Sequence, residues 1–462
     1  MAFDFVVRNA RLVTGSDSFD SDIGVKDGRI ASLSHSIDAG GAKSYDASGK
    51  IIVPGAIDGH THMEFPFMGA TSADDFYDGT VAAACGGTTS IVDFVLPSSG
   101  ETILEALAQY RKKADPKVVV DYGLHMIFKG ANMGDIEQIP EVVAQGASSF
   151  KLFTTYRKEG LMLDDIGIYK AMKKVSESGG LIAVHAENNG IIENLVEANL
   201  GGGNTQAKYH AMSKPAAAEA EAVTRAASLA RVAGAPMYVV HLSSRAGRDA
   251  VRLARASGTS IFAETCPHYL VLSAEAYDGV DGRNFVMSPP LRSKDDNAAL
   301  WVGLQPGGTI ETVGSDHCPF PSAQKDIGKD DFTKTPNGVP GTEAILPILY
   351  SEGVRKGRIS LFDMVRVTSS GPAKNFGLFP RKGSLMVGSD ADFVVIDPEK
   401  KVRMTADAMH TKIDYSIYDH FTTEGYPVLT VSRGEVVMEN GNFIGRQGRG
   451  KFLRRGRTST RT

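Results

Sequence analysis

Residue types that bind metals fall one after another at the ends of apolar β-runs in this chain. They are His60 and His62 in GAIDGHTH, Lys151 in SSFKLF, His185 in LIAVHAE, His241 in MYVVHLSS and Asp316 in ETVGSDH. Each run has the length and β-branched content of a buried strand, and each is followed by loop or helix-start residues. The pattern predicts strands at 57–60, 88–95, 118–127, 148–154, 181–185, 236–242, 259–265 and 310–316. Helices are expected between them at 74–84, 102–113, 136–145, 165–178, 216–233 and 245–256. Eight strands alternating with helices, with polar residues gathered at strand exits, describe an α/β chain of the (β/α)8 TIM-barrel type with its site at that face.

The two ends of the chain read differently. Short alternating runs at 5–7, 10–13, 23–25, 30–33 and 51–53 are separated by turn pairs such as Asp27-Gly28 and Gly40-Gly41. The same pattern returns at 392–396, 428–431 and 436–438, with Arg433-Gly434 and Asn440-Gly441 at the turns. Neither end is long enough to bury a good core alone, so both are expected to build one small β-sandwich beside the barrel. The expected division is residues 1–54 and 381–445 for the sandwich and 55–380 for the barrel. Residues 446–462 form a basic C-terminal arm, either a solvated tail or a segment reaching another subunit.

Composition narrows the partners. With 50 basic and 54 acidic residues the formal net charge is −4, which gives no electrostatic reason to expect nucleic acid or an anionic membrane. No apolar run is long enough for a membrane span, and Asp4 and Arg8 interrupt what a secretory signal would keep apolar. A cytoplasmic location is therefore expected. Cys85, Cys266 and Cys318 have no spacing suited to a disulfide framework or a zinc knuckle, and Cys318 reads as a small buried thiol.

The polar residues at the strand exits suit a pair of divalent metals. His60 and His62 alternate with Thr61, so on an extended strand both imidazoles project to the same side, as two ligands of one ion must. Lys151 is the odd member, because an ammonium has no lone pair to offer. Its apolar neighbours Phe150, Leu152 and Phe153 favour a depressed pKa, and a neutral amine there can combine with carbon dioxide and lose a proton. The resulting carbamate has two oxygens, fit to bridge metals roughly 3.5–4 Å apart. The plainer alternative is a lysine paired with a carboxylate. His185 and His241 would complete the second metal. Asp316 can bind through one oxygen and move a proton with the other. His268 and His317 are surplus and are expected to orient ligands or to pack. The set points to a hydrolase.

The motifs that surround these residues carry a resemblance. PGAIDGHTHMEFPFMG and DDFYDGTVAAACGGTTSIVDF resemble the amidohydrolase superfamily. Within it the chain is similar to the dihydropyrimidinase/D-hydantoinase family along essentially its full length, through FKLFTTYR, VHAEN, YVVHLSS, AETCPHYL, MSPPLR, GSDHCPF, DDFTKTPNGVPG and KGSLMVGSDADFVVID. The resemblance implies two zinc ions bridged by a carboxylated lysine at Lys151 and a hydroxide. His60, His62, Lys151 and Asp316 would hold the first, and Lys151, His185 and His241 the second. It further implies that Tyr156 donates its phenol to the developing oxyanion, and that Ser288 and Asn337 bind the ring's imide and amide, largely through backbone atoms. The expected reaction opens a cyclic ureide, either a dihydropyrimidine or a 5-substituted hydantoin, to an N-carbamoyl amino acid. The expected assembly is a homo-oligomer, a tetramer.

Relatives within the superfamily sharpen this expectation. Dihydroorotases usually carry an Arg just after His-x-His for a substrate carboxylate, whereas Met63-Glu64-Phe65 follows here, which disfavours an acidic substrate. Allantoinase-like chemistry is the neighbouring alternative. A non-catalytic scaffold, as in the collapsin-response-mediator proteins, is disfavoured by the complete ligand set. The loop TTYRKEGLMLDD is about one residue longer than is usual in the family, which leaves the preferred side group open. Met63, Phe65, Phe153, Leu161 and Met162 are the expected apolar walls.

Overall fold

A computed structural model describes residues 2–456 of the chain. Eight parallel strands follow one another around a barrel: Ala56–Thr61, Thr88–Val95, Asp121–Ile127, Ser149–Phe153, Leu181–His185, Met237–Val239, Ile261–Thr265 and Thr312–Val313. Each pairs with the next, and a parallel bridge between Thr61 and His317 closes the ring, with His62 N–H donating to His317 O at 2.9 Å. Most of these residues are buried on both faces, which is why the strands read as nearly continuous apolar runs.

Several strands are shorter than the sequence suggests, the sixth and eighth most of all. The sixth ends at Val239 because His241 turns into the left-handed region at φ 40°, taking the chain out of the ladder just where it reaches the site. The eighth is reduced to two residues because its backbone finds side chains rather than strand one. Ser315 N–H donates to the Asp58 carboxylate at 2.9 Å.

The helices cover the barrel. Phe76–Cys85 starts after Asp75, whose carboxylate accepts from the Tyr77 and Asp78 N–H groups. Ile103–Ala114 begins with a Thr102/Glu105 capping box. Asp165–Glu177, Ala216–Ala233 and Arg245–Ala256 fall where they are expected. The stretch at 136–145 is instead a 3₁₀ segment, Gly130–Gln138, running into a short α-helix, Ile139–Ala144. Pro140 at the start of that helix lacks the N–H that would continue the turn before it.

The two ends of the chain meet in one nine-stranded sheet rather than two separate ones. Its N-terminal strands include Phe5–Val13, Ser18–Lys26, Arg29–Ser34, Lys43–Asp46 and Ile51–Pro54. Antiparallel pairing of Ile51–Pro54 with Phe393–Arg403 joins these to the C-terminal strands. The runs at 5–7 and 10–13 are a single strand with a bulge, where Asn9 sits at φ 57°. The sheet curls on itself, since Ala391 N–H donates to Gly28 O at 2.9 Å, and it encloses a core of Val7, Leu12, Ile23, Val25, Phe393, Val395 and Val431. The turns Asp27-Gly28, Arg433-Gly434 and Asn440-Gly441 have positive φ at both residues, as tight hairpins require.

A buried charge cluster locks this sheet to the barrel. Lys382 Nζ lies 2.6 Å from Asp121, 2.6 Å from Asp392 and 3.0 Å from Asp390, while Arg433 reaches Asp121 at 2.9 Å.

The C-terminal segment up to residue 456 packs against the barrel of its own chain rather than extending into solvent. It runs along the third barrel strand: Tyr122 N–H donates to Lys451 O at 3.0 Å, Leu453 N–H to Tyr122 O at 2.6 Å, and Arg455 N–H to Gly146 O at 3.0 Å. Leu453 is fully buried, and the Arg449 guanidinium is buried against Val119 O and Ser432. The physical reason is that its arginines find backbone carbonyls of this barrel, and its apolar residues find Tyr122. Arg457 and Arg461 lie outside the described residues.

Candidate active site

The barrel brings all six expected metal-binding side chains together at the exit face. His60 Nε2 lies 3.1 Å from Asp316 Oδ1, His62 Nε2 lies 3.2 Å from the same oxygen, and Lys151 Nζ is 3.3 Å from His60 Nε2. Ligand atoms of His60, His241 and Asp316 all fall within 4.8 Å of one another. The His241 ring is 4.5 Å from His185 and 5.3 Å from His60, centroid to centroid. His60 and His62 reach this point together because strand one presents alternate residues to one side.

The surroundings tune these groups for binding a cation. His62 is driven down by burial to about 4, and burial also lowers His185 and, more strongly, His241, so the three imidazoles are neutral at pH 7. Burial and Lys151 push His60 down as well, but the Asp316 and Glu264 carboxylates outweigh them and hold it above its usual value. Burial would raise Asp316. The imidazole of His60 and the contacts from His60 and His62 more than offset that, and its carboxyl stays well below the usual range. Lys151 is fully enclosed, with Phe94 and Phe153 rings 4.4 Å and 5.3 Å from Nζ. Burial lowers its amine to about 8, with Asp316 and Glu264 acting in the opposite sense.

The residues fit a metal centre on two observations. The buried Nδ1 atom of His241 has no hydrogen-bond partner among the described residues. The two imidazoles that approach Asp316 Oδ1 do so at 3.1 and 3.2 Å, the spacing of ligands sharing a tetrahedral ion with bonds of about 2.0–2.1 Å.

Carboxylates that the sequence reading passed over hold the ligands in place. Glu264, on strand seven, accepts from His60 Nδ1 at 2.6 Å, from His241 N–H at 3.1 Å and from the Tyr238 hydroxyl at 2.8 Å. Glu187 lies 2.9 Å from His185 Nε2 and 3.1 Å from Lys214 Nζ. Asp58 accepts from Ser315 and from the Thr342 hydroxyl, fastening strand eight to strand one. The available signal was positional: Glu264 closes an apolar run in AETCPHYL, as the ligands do in theirs.

Of the surplus histidines, His317 meets the ligands only through its backbone carbonyl, which accepts from the His62 N–H at 2.9 Å. His317 is a structural node between Asp74, at 2.9 Å from Nε2, and the Gly341 N–H, at 3.1 Å from Nδ1. His268 packs against Tyr269 with both ring nitrogens unpartnered.

A cleft opens above the cluster, lined by Phe65, Phe153, Tyr156, Leu161, Ser288 and Asn337 among others. Asn337 Nδ2 donates to the Tyr156 hydroxyl at 3.3 Å and to Ser288 Oγ at 3.2 Å, so the three expected substrate-binding residues form one hydrogen-bonded group. Burial pushes the Tyr156 phenol up, keeping its proton in place. Met63 and Met162 are not walls of this cleft: Met63 turns inward against Gly79, and Met162 faces a separate surface hollow. Phe67 and Cys318 complete the lining instead. Tyr156, His241 and Asp316 all adopt positive φ, at 65°, 40° and 50°, a conformation that costs a non-glycine residue about 1–3 kcal/mol and persists where surrounding contacts dictate it.

Residues 51–437 match the amidohydrolase family. The D-hydantoinase of Geobacillus stearothermophilus is 40% identical over 454 residues, covering 97% of this chain and 96% of that protein. A D-phenylhydantoinase of Escherichia coli is 41% identical, covering 97% and 98% respectively. The crystal structure of the dihydropyrimidinase from Brevibacillus agri superposes with a TM-score of 0.96 at 42% identity, covering 99% of each chain. The L-hydantoinase (dihydropyrimidinase) from Arthrobacter aurescens does so with a TM-score of 0.91 at 33% identity, covering 98% and 100%. With near-complete coverage in sequence and in fold, the chain belongs to the dihydropyrimidinase/hydantoinase family of amidohydrolases and is a hydrolase acting on carbon–nitrogen bonds in cyclic amides.

Proposed function

We propose that this enzyme hydrolyses the ring amide of dihydropyrimidines or 5-substituted hydantoins to N-carbamoyl amino acids, using two zinc ions. The observation that carries the reading is the convergence of His60, His62, Lys151, His185, His241 and Asp316 beneath a cleft lined by Tyr156, Ser288 and Asn337. His60, His62, Lys151 and Asp316 would hold one zinc, and Lys151, His185 and His241 the other. Lys151 would bridge them as a carbamate, formed when its neutral amine adds to carbon dioxide and releases a proton. When bound, such a metal pair supplies Lewis acidity and makes water a usable nucleophile at neutral pH.

The protein's own groups do the rest. Ser288 and Asn337 bind the imide and amide of the ring and set the scissile carbonyl towards the ligand cluster. Tyr156 donates its phenolic proton to the carbonyl oxygen as charge develops there, and its burial keeps that donor protonated. Asp316 accepts the proton of the attacking water and passes it to the ring nitrogen as the carbon–nitrogen bond breaks. Phe65, Phe153 and Leu161 present apolar surface to the exocyclic substituent, which favours an uncharged group. A homo-oligomer, a tetramer as in the family the chain resembles, completes the reading.

The test is a ring-opening assay of zinc-loaded protein on dihydrouracil, dihydrothymine, allantoin and a series of 5-substituted hydantoins. Turnover of the dihydropyrimidines or hydantoins is expected. Activity on allantoin alone would move the substrate class, and no turnover on any ureide refutes the proposal.

A further inference from the structure

Lys325 plays no part in the chemistry above, yet its side chain is fully buried at the end of the short helical turn Ser322–Lys325. Its ammonium meets three backbone carbonyls: Val286 O at 2.7 Å, Pro336 O at 2.7 Å and Gly338 O at 2.6 Å. Pro336 and Gly338 flank Asn337, and Val286 lies two residues before Ser288. The two segments also touch directly, through Gly338 N–H donating to Val286 O at 3.0 Å and Asn337 Nδ2 donating to Ser288 Oγ at 3.2 Å. The backbone that brings both residues to the cleft therefore converges on one cation.

The choice of residue is chemically specific. An ammonium is compact and carries three donors, enough for three acceptors converging from different directions, whereas a guanidinium is a planar fork and an amide has only two N–H groups. Burying a cation is costly and burial pulls this amine down, but the three carbonyls that face Nζ favour the ammonium, the only form with a donor for each. An apolar residue would fill the space without that cost, but it would leave the Pro336 and Gly338 carbonyls unsatisfied and hold the two segments together only through the Gly338–Val286 and Asn337–Ser288 bonds.

We infer that Lys325 is a positioning residue: it clamps residues 286–288 to residues 336–338 in the register that binds the substrate ring, without touching the substrate itself. The inference rests on the proposed ring-binding role of those two segments. Groups that grip the ring act on ground state and transition state alike, so loosening them raises KM and leaves kcat nearly unchanged. A staple serving only the fold would lower thermal stability and leave KM alone.

The experiment compares zinc-loaded Lys325→Met and Lys325→Gln with the parent enzyme, on whichever cyclic ureide the parent opens. It also measures zinc content and inhibition by acetate, a carboxylate that needs only the metals. Lys325→Met is expected to raise KM on the order of tenfold, with kcat within about threefold of the parent. Zinc content and the acetate inhibition constant should be unchanged, and Lys325→Gln should fall in between. An unchanged KM, or a joint fall of kcat and zinc content, overturns the inference. Should Lys325→Met fail to fold, Lys325→Gln decides by the same criterion. Gly338→Ala tests the underlying reading separately, because Gly338 sits at φ 151° with Cys318 O in the way of any Cβ, so the substitution displaces this backbone directly. An unchanged KM in Gly338→Ala refutes the ring-binding role itself. A raised KM there with an unchanged KM in Lys325→Met refutes the clamp alone.

Discussion

Replacing Glu264 by Gln should weaken zinc binding by about 10–100-fold while leaving the barrel folded. The magnitude follows from what the carboxylate touches. One oxygen accepts from His60 Nδ1 at 2.6 Å and His241 N–H at 3.1 Å, and the other from the Tyr238 hydroxyl at 2.8 Å. A Gln with its carbonyl in the first position keeps both of those bonds. Its amide then faces a hydroxyl that can turn to accept, since Thr312 Oγ1 lies 2.5 Å from the same atom and can take the Tyr238 proton. Geometry is kept and only the negative charge is lost. That charge makes His60 Nε2 a better donor and keeps its lone pair facing Asp316 and Lys151. The expected loss equals about 1.4–2.7 kcal/mol of binding free energy. Glu264→Ala is a different perturbation: it strands two buried donors, His60 Nδ1 and the His241 N–H, at about 1–3 kcal/mol each, a large share of a typical fold's stability. A chelator-competition titration reads the first variant, and thermal melting of the metal-free protein reads the second. A Gln variant that binds zinc as tightly as the parent, or an Ala variant that melts with it, would refute the reasoning.

Lys151→Ala should lose both metals and all activity, with short-chain carboxylates restoring part of each; two zinc ions retained per subunit in that variant would exclude the bridge. Only the neutral Lys151 amine adds to carbon dioxide, so reconstitution of metal-free protein at fixed dissolved carbon dioxide should quicken as pH rises through about 8. Its folded pKa lies below the ordinary 10.5, so the unfolded chain binds more protons between these values and the metal-free fold should gain stability as pH rises across that window, which melts at several pH values will check. Tyr156→Phe should cost on the order of 10²–10³ in kcat with metal content intact, as for one lost oxyanion donor. Deleting residues 446–462 removes Leu453 from its buried site and the Lys451 N–H from the Asp121 carboxylate, so Tm should fall even where light scattering shows the assembly unchanged. A truncated protein with the parent's Tm would show that the strap adds nothing.

How much could be read from the chain depended on how local the cause was. His60 and His62 are two apart on a strand, and that spacing alone places both imidazoles on one side. The helices with good caps, at Asp75, Thr102 and Ser244, begin within two residues of where the apolar pattern puts them. Strands six and eight were overestimated because apolar pattern reports burial, not pairing. His241 leaves the ladder through a positive φ that no composition encodes, and Ser315 finds Asp58, 257 residues away in the chain. Met63 is apolar and follows the ligands, which suits a cleft wall, but its side chain packs on Gly79 instead.

By itself the sequence determined the barrel, the sheet built from both ends and the six polar side chains at the strand exits, because periodicity of two and of 3.6 residues is written locally and burial follows from it. Only the tertiary structure decided which groups stand behind those six. Glu264 meets His60 across 204 positions, Lys382 joins Asp121 across 261, and Lys325 collects carbonyls from 39 and 13 positions away. It also decided that the C-terminal segment up to residue 456 lies against its own third strand. Such partnerships depend on closing long loops in three dimensions, where any carboxylate or carbonyl of suitable geometry can serve, and the linear order of residues carries no record of which one does.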